Sequence, residues 1–215
     1  VRIGAAATWS DIVGASLPPA FDALKQAARE VGSIQIQNAG TIAGNICNAS
    51  PAADGVPPLL ALDAQVEICS QVSSPRVLPL SAFITGVRKT VLKSDELVSA
   101  VLIPRPPDGM GSAFEKLGSR RYLVISISMT AANVLLGQDG RIEDVRIAVG
   151  SCSAVSQRLH ALEDDLKGKT PQEVAITAEH LAPLAPIDDV RGSGAYRLAA
   201  VREQIRCAVM GANQQ

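Results

Sequence analysis

Apolar and polar residues recur with two different spacings in the first hundred residues of this chain. Between residues 21 and 28 the apolar residues have the spacing of an α-helix, and Gly32 follows as a stop signal. Shorter helical segments are predicted near residues 9–12 and 57–62. Three other segments alternate apolar and polar residues as strands do, at 65–69, 76–80 and 96–103. The pattern predicts a mixture of helices and strands.

Beyond residue 111 the alternation is more regular. Three segments alternate, at 112–117, 126–136 and 142–149, and an Asp-Gly hairpin signal separates the last two. Three helices are predicted to follow, at 156–166, 171–181 and 193–210. We therefore predict an α+β chain whose later part is a three-stranded antiparallel sheet with helices packed on one face.

The segment 105–111 separates these two patterns. It consists almost entirely of residues typical of turns, with two prolines before Asp108 and two glycines after it. We therefore predict two domains that meet there, residues 1–108 and residues 109–215.

Residues 33–54 are unusual because they contain almost no large side chains and no Lys, Arg or Glu. Glycines let the backbone approach another group closely, and successive free amides form anion-binding nests. Asn, Ser and Asp add short side-chain hydrogen bonds. From these residues alone, the run is either a loop that cradles a phosphate-bearing cofactor or a tight, internally bonded turn.

Composition excludes several classes of protein. The 215 residues carry a net charge of −1 and only 3% aromatic residues, which argues against a nucleic-acid-binding surface. The four cysteines lie far apart without a C-x-x-C pair, so a zinc or iron–sulfur site is not expected. Isolated cysteines of this kind are typical of buried thiols in a reducing compartment, here the cytoplasm. The sequence has no apolar run long enough for a membrane span.

Catalytic motifs are also absent from the sequence. It has neither a P-loop nor a G-x-G-x-x-G after a strand, and residues 150–154 lack the closing glycine of a nucleophile elbow. His160 and His180 have no metal-ligand partner at helical spacing. We predict no catalytic side chain and no metal site.

One resemblance indicates a role for residues 33–54. The residues from Asn38 to Ile46 and from Asn48 to Asp54 resemble the stretch N-x-G-T-I-G-G-N-I-x-N-A-S-P-x-x-D of the FAD-binding (medium) subunits of molybdenum hydroxylases, the xanthine dehydrogenase and carbon monoxide dehydrogenase family. Ala43 stands where that family usually has glycine. Asp189, Arg191, Tyr196 and Arg197 also resemble the segment before the family's last helix, although we interpret them as a structural cap and ion pair.

The resemblance implies a fold and a site. The fold is a FAD-binding subdomain of the PCMH/VAO-like kind followed by a C-terminal domain like that of carbon monoxide dehydrogenase flavoprotein. The cofactor-binding residues that it implies are Thr41, Ile42, Ala43, Gly44, Asn45, Asp54, Val98 and Lys116. Asp54 has an alternative role from the residues alone, as the N-cap of the 57–62 helix.

The resemblance also implies a function and partners. The chain is expected to be an oxidoreductase subunit that takes electrons from a two-iron, two-sulfur small subunit, next to a molybdenum-cofactor large subunit, and passes them through FAD to NAD or a quinone. The flavin carries the chemistry, so no acid–base residue is needed. The family's earlier A-G-G-T-type loop is not found here, so we expect these 215 residues to hold FAD weakly. The alternative is a scaffold protein of the same fold that binds no flavin.

Overall fold

The first half of the chain is built around a four-stranded antiparallel sheet. The structure, a computed structural model, describes residues 1–213. The strands of this half are β1 (Arg2–Gly4), β2 (Gln65–Ser70), β3 (Arg76–Pro79), β4 (Ile84–Gly86), β5 (Lys89–Thr90) and β6 (Glu96–Leu102). The sheet has the order β1-β6-β2-β3, whereas β4 and β5 form a separate ribbon. The strands predicted from alternation in this half are confirmed.

Six α-helices belong to this half of the chain. They are α1 (Trp9–Gly14), α2 (Asp22–Glu30), α3 (Ile34–Ala39), α4 (Ile42–Asn48), α5 (Val56–Ala61) and α6 (Leu80–Phe83). Thr8 caps α1 in a reciprocal capping box with Asp11, and Gly32 takes a positive φ of 57° just after α2. Gly32 therefore acts as the predicted stop signal.

The run at 33–54 differs from the predicted loop, because it contains two short helices. Thr41 is the N-cap of α4, and its Oγ1 accepts from the Gly44 amide. Ile42 and Ile46, one helical turn apart, are both fully buried and fasten α4 to the core. The few large side chains of this run therefore decide its secondary structure.

A second antiparallel sheet forms the later half. Its strands are β7 (Gly111–Leu117), β8 (Ser128–Leu136), β9 (Ile142–Gly150) and the two-residue β10 (Gln157–Arg158). The order is β10-β9-β8-β7, so the three predicted strands are confirmed and a short edge strand is added.

The predicted helices of the later half are only partly correct. Helix α7 (His160–Leu166) is shorter than the predicted 156–166 because β10 occupies its first residues, whereas α8 (Gly194–Gly211) begins after the Ser193 cap as predicted. The predicted helix 171–181 is wrong. Only two 3₁₀ turns form there, because Val174 and Ile176 are buried two residues apart, the spacing of extended chain.

Helices from both halves pack on the second sheet. Ala132 and Val134 of β8 share a buried cluster with α8, while Met129 and Ala131, on the other face of the strand, share one with α2 and α5. The helices of the later half, α7 and α8, therefore pack on one face of this sheet as predicted. Helices α2 and α5 of the first half cover the other face, and their small residues Ala23, Ala27 and Ala61 allow a close approach to the sheet.

Candidate functional site

Asp54 lies where the two halves meet and has partners from the second. It immediately precedes the turn into α5, and its carboxylate points toward β7 and β8. Lys116 Nζ donates to Asp54 Oδ2 at 2.7 Å, and Ser126 Oγ donates to Asp54 Oδ1 at 2.5 Å. The side chains of Lys116 and Asp54 are only 8% and 10% exposed. Asp54 does not cap α5, so its alternative role is not seen. We call these three residues the Asp54 corner.

The two donors come from the two ends of one connection. Lys116 lies near the end of β7 and Ser126 just before β8, and the Ile127 amide closes the connection by donating to the Leu117 carbonyl at 2.7 Å. Lys116 Nζ also lies 3.3 Å from the Glu30 carbonyl, at the end of α2. The corner is therefore assembled from three segments far apart in sequence.

Burial and hydrogen bonding act in opposite directions on Asp54. Burial raises the pKa of its carboxyl above the ordinary value, while Lys116 and Ser126 oppose that rise. Each carboxylate oxygen has one donor, and an ionised carboxylate accepts about four hydrogen bonds. Asp54 therefore keeps acceptor capacity for a ligand.

The residues predicted to cradle phosphate form the first turn of α4. Ile42 and Ala43 are buried, and Ala43 has an ordinary negative φ, so a side chain is tolerated there. The Ile42 amide donates to the Ala7 carbonyl and the Gly44 amide to Thr41, whereas the Ala43 amide has no partner among residues 1–213. One free amide therefore remains in this turn.

Asn45 connects this turn to the Asp54 corner. Its Oδ1 is buried and makes no hydrogen bond, and it lies 3.0 Å from the position that a Cβ on Gly55 would take. Asn45 and Asp54 line the same cavity of about 320 Å³, whose rim carries the exposed side chains of Ile36, Leu123 and Ile125. A polar floor with unused acceptors and an apolar rim fits a ring system with N–H groups.

Val98 lies apart from these residues. It belongs to β6 and is buried in the core cluster of the first sheet, opposite Ile68, and it does not line the cavity with Asn45 and Asp54. Among the predicted site residues, the structure therefore brings Asn45, Asp54 and Lys116 together. The other predicted residues of this region form the N-cap and first turn of α4, which leads into Asn45: Thr41, Ile42, Ala43 and Gly44.

A second cavity adjoins the first, and sequence reasoning missed it. It measures about 450 Å³ and shares Ala52 and Ile125 with the first cavity. Arg88, Arg191 and Arg197 line it together with the single carboxylate of Asp189. Asp189 pairs with Arg191 at 2.8 Å and Arg197 at 2.7 Å, which confirms the predicted ion pair. We call this space the arginine cavity; its net charge is positive.

Backbone strain is concentrated around these two cavities. Five residues other than glycine have a positive φ among residues 1–213, and four of them border this region: Ala49, Arg88, Leu123 and Ser151, with φ between 47° and 61°. Arg88 and Ser151 line the arginine cavity, and Leu123 lines the Asp54 cavity. Strain of this kind is most often retained where a binding site requires it.

The remaining candidate chemistry lies elsewhere. His180 Nδ1 accepts from the Thr177 amide, and His160 is exposed beside Glu163. Across residues 1–213 no three His, Cys, Asp or Glu side chains come together as metal ligands. None of the helices in this range is long and apolar enough to cross a membrane.

Comparisons with known proteins identify the family of this chain. Residues 1–106 match the family model described as FAD binding domain in molybdopterin dehydrogenase, and residues 112–211 match CO dehydrogenase flavoprotein C-terminal domain. The chain is 32% identical to the nicotine 6-hydroxylase medium subunit of Paenarthrobacter nicotinovorans, with 99% of this chain and 75% of that protein covered.

Two further comparisons extend this result. The chain is also 32% identical to the xanthine dehydrogenase FAD-binding subunit of Escherichia coli O157:H7, over 94% of this chain and 70% of that one. Its fold resembles a chain of CO dehydrogenase from Oligotropha carboxidovorans with a TM-score of 0.88, covering 99% of this chain and 74% of that chain. Because the sequence identity to that CO dehydrogenase chain is 24%, this similarity shows the fold alone.

Proposed function

The chain belongs to the family of FAD-binding medium subunits of molybdenum hydroxylases, and from this premise we propose that its flavin relays electrons from an iron–sulfur partner to an external acceptor. It is an oxidoreductase subunit and its cofactor is FAD. The observation that carries the proposal is that Asp54 and Asn45, both implied by the family's motif, line one cavity and both have unused acceptors.

We propose specific roles for the residues toward FAD. The first turn of α4 faces the pyrophosphate with the Ala43 amide, and Thr41 fixes that turn by accepting from Gly44. Asn45 and Asp54 accept from N–H or hydroxyl groups of the cofactor, and Lys116 supplies a nearby positive charge. Ile42 and Val98 act from the core as apolar support. When bound, FAD supplies the electron-transfer chemistry.

We propose that the acceptor enters the arginine cavity. The cavity adjoins the Asp54 cavity, so an acceptor there lies beside the flavin site. Three guanidinium groups against one carboxylate favour an anionic acceptor such as NAD over a neutral quinone. The Arg88 guanidinium donates a hydrogen bond to Asn48 Oδ1. It makes no ion pair with a carboxylate among residues 1–213, so its positive charge is not neutralised there.

The partner subunits are also part of the proposal. The relatives named above are called a medium subunit and a FAD-binding subunit, which supports an assembly with a molybdenum-cofactor large subunit and a two-iron, two-sulfur small subunit. Exposed Ile34, Ile36 and Tyr122 near the flavin cavity are candidates for such contacts. We also propose the two predicted domains, 1–108 and 109–215, because the family matches fall on either side of that boundary.

A titration tests flavin binding directly. FAD is added to the full chain and the quenching of flavin fluorescence is followed to saturation. The proposal expects saturable binding of one FAD per chain. Absence of any saturable quenching would favour the scaffold alternative.

Anaerobic reoxidation tests the acceptor. The FAD-bound chain is reduced with dithionite, and reoxidation by NAD is compared with that by a water-soluble quinone. Faster reoxidation by NAD is expected, and Arg88→Gln should slow the NAD reaction alone. Arg105→Gln is the matched control, since Arg105 is 84% exposed in the linker. Equal NAD rates in wild type and Arg88→Gln would contradict the proposed acceptor site.

A further inference from the structure

We infer that Ser126 is a positioning residue for the flavin site, which holds the Asp54 carboxylate as an ionised acceptor facing the cofactor cavity. The inference rests on the proposed function for its effect on FAD, but its structural part concerns only this chain. No motif singled out Ser126 in the sequence, where it is one polar residue in an alternating strand segment.

The first argument is geometric. Ser126 is 2% exposed, and its Oγ lies 2.5 Å from Asp54 Oδ1, while Lys116 Nζ holds the other oxygen at 2.7 Å. Two donors on different oxygens fix the rotation of the carboxylate about its Cβ–Cγ bond. With Lys116 alone, the carboxylate is free to turn about that single contact.

The second argument concerns the cavity wall. Ser126 ends the connection 118–125, which supplies Leu123, Val124 and Ile125 to the Asp54 cavity. This connection is folded on itself, because Arg120 donates to the carbonyls of Tyr122 and Leu123. The Ser126 hydroxyl therefore links the position of the apolar wall to the orientation of the acceptor.

The third argument concerns charge. Lys116 from β7 is the charged group paired with the Asp54 carboxylate, and Glu30 at the end of α2 is the other charged residue that lines the cavity. On its other side, Ser126 lines the arginine cavity with Arg88, Arg191, Arg197 and Asp189. Burial raises the pKa of Asp54, and the Ser126 hydroxyl is one of the groups that oppose this. Removing a donor to the charged form raises the pKa of Asp54 further.

The test compares FAD affinity across pH in wild type, Ser126→Ala and Ser126→Thr, which keeps the hydroxyl. If ionised Asp54 is required, affinity falls as the pH drops through the pKa of Asp54. In Ser126→Ala we expect affinity about tenfold weaker at neutral pH and a midpoint about one pH unit higher. Ser126→Thr should restore both.

Ser112→Ala is the matched control. Ser112 is equally buried and makes two hydrogen bonds, from the Ala23 amide and to the Pro19 carbonyl, far from the cavity. It is expected to lower the stability while leaving the pH midpoint of FAD binding unchanged. An unchanged midpoint in Ser126→Ala, with or without weaker binding, would overturn the inference.

A second measurement is independent of the cofactor. Carbonyl-detected NMR of the FAD-free chain follows the titration of Asp54 in wild type and Ser126→Ala. An upward shift of the Asp54 pKa in Ser126→Ala supports the positioning role even if wild type fails to bind FAD, in which case only the proposed function is lost. An identical titration in both proteins refutes the positioning role.

Discussion

Two buried acidic residues, Glu163 and Asp54, take part in contacts that connect the two halves of this molecule. They differ in how many further hydrogen bonds their carboxylate oxygens can accept. Glu163 accepts from Arg158 Nε at 2.6 Å, Arg158 Nη2 at 2.8 Å and the Ile147 amide at 2.7 Å, with His160 beside it. Arg158 in turn reaches Asp63 in the first half. Asp54 has one donor on each oxygen and an open cavity in front of it.

The comparison separates a structural acid from a binding acid. Both are paired and more than nine-tenths buried, so neither burial nor ion pairing distinguishes them. Unused acceptor capacity beside a cavity does. Changes around Glu163 should therefore alter stability alone, and changes around Asp54 should alter FAD binding.

The largest expected effect is on stability, in Arg158→Met. Glu163 would stay buried without its bidentate partner, which costs about 3–5 kcal/mol of unfolding free energy. Urea denaturation measures this loss, and FAD affinity of the folded protein should be unchanged. Arg206→Met, in an exposed pair with Glu203, is the control with a loss of about 1 kcal/mol or less. A large loss of FAD affinity in Arg158→Met would break the comparison.

Lys116→Met should have the next largest effect, on FAD binding. It leaves Asp54 buried without a counter-charge, so its carboxyl takes up a proton more readily and loses acceptor character. We expect FAD affinity to fall about 10- to 100-fold at neutral pH. Fluorescence titration measures it, and affinity within twofold of wild type would show that the corner does not contact FAD.

Gly55→Ala tests how tightly the floor of the cavity is packed. A Cβ at this position would lie 2.4 Å from Trp9 Cη2 and 3.0 Å from Asn45 Oδ1. Overpacking of this kind costs about 1–3 kcal/mol. We expect a lower urea midpoint together with weaker FAD binding, because Asn45 is displaced. If stability falls while FAD affinity holds, Asn45 is not a cofactor ligand.

We expect the smallest effect at Glu96, whose pKa is shifted in the opposite direction to that of Asp54. Hydrogen bonds from Arg76 and the Lys93 amide lower the pKa of Glu96 from 4.5 to about 2. Its ionised form stabilises the fold above pH 4.5, and this contribution is lost as the pH falls toward about 2. Glu96→Gln should therefore have a lower Tm than wild type at pH 7, and the two proteins should have the same Tm near pH 2. A Tm difference that does not change with pH would contradict this.

Sequence patterns predicted the parts of this fold that depend on neighbours in the chain. The Gly32 stop signal and the alternating strands are local signals, and all are present. The pairing of Asp54 with Lys116 spans 62 residues, and that with Ser126 spans 72. No local pattern records such contacts, so two of these residues were predicted separately and the third was missed.

The errors also have a physical cause. The run at 33–54 was predicted as a loop because small residues have weak helical periodicity, yet two buried isoleucines were enough to fasten α4. The arginine cavity was missed because its walls come from both halves of the chain. Its Asp189–Arg197 pair was predicted correctly, as a structural feature, from residues eight apart.

The central claim is that the Asp54 carboxylate binds FAD, and one titration tests it most directly. FAD binding is measured at neutral pH for wild type, Asp54→Asn and the control Asp63→Asn, which removes a carboxylate from the ion pairs with Arg146 and Arg158. The account predicts at least about tenfold weaker binding in Asp54→Asn and wild-type affinity in Asp63→Asn. Equal affinity in Asp54→Asn and wild type would contradict it.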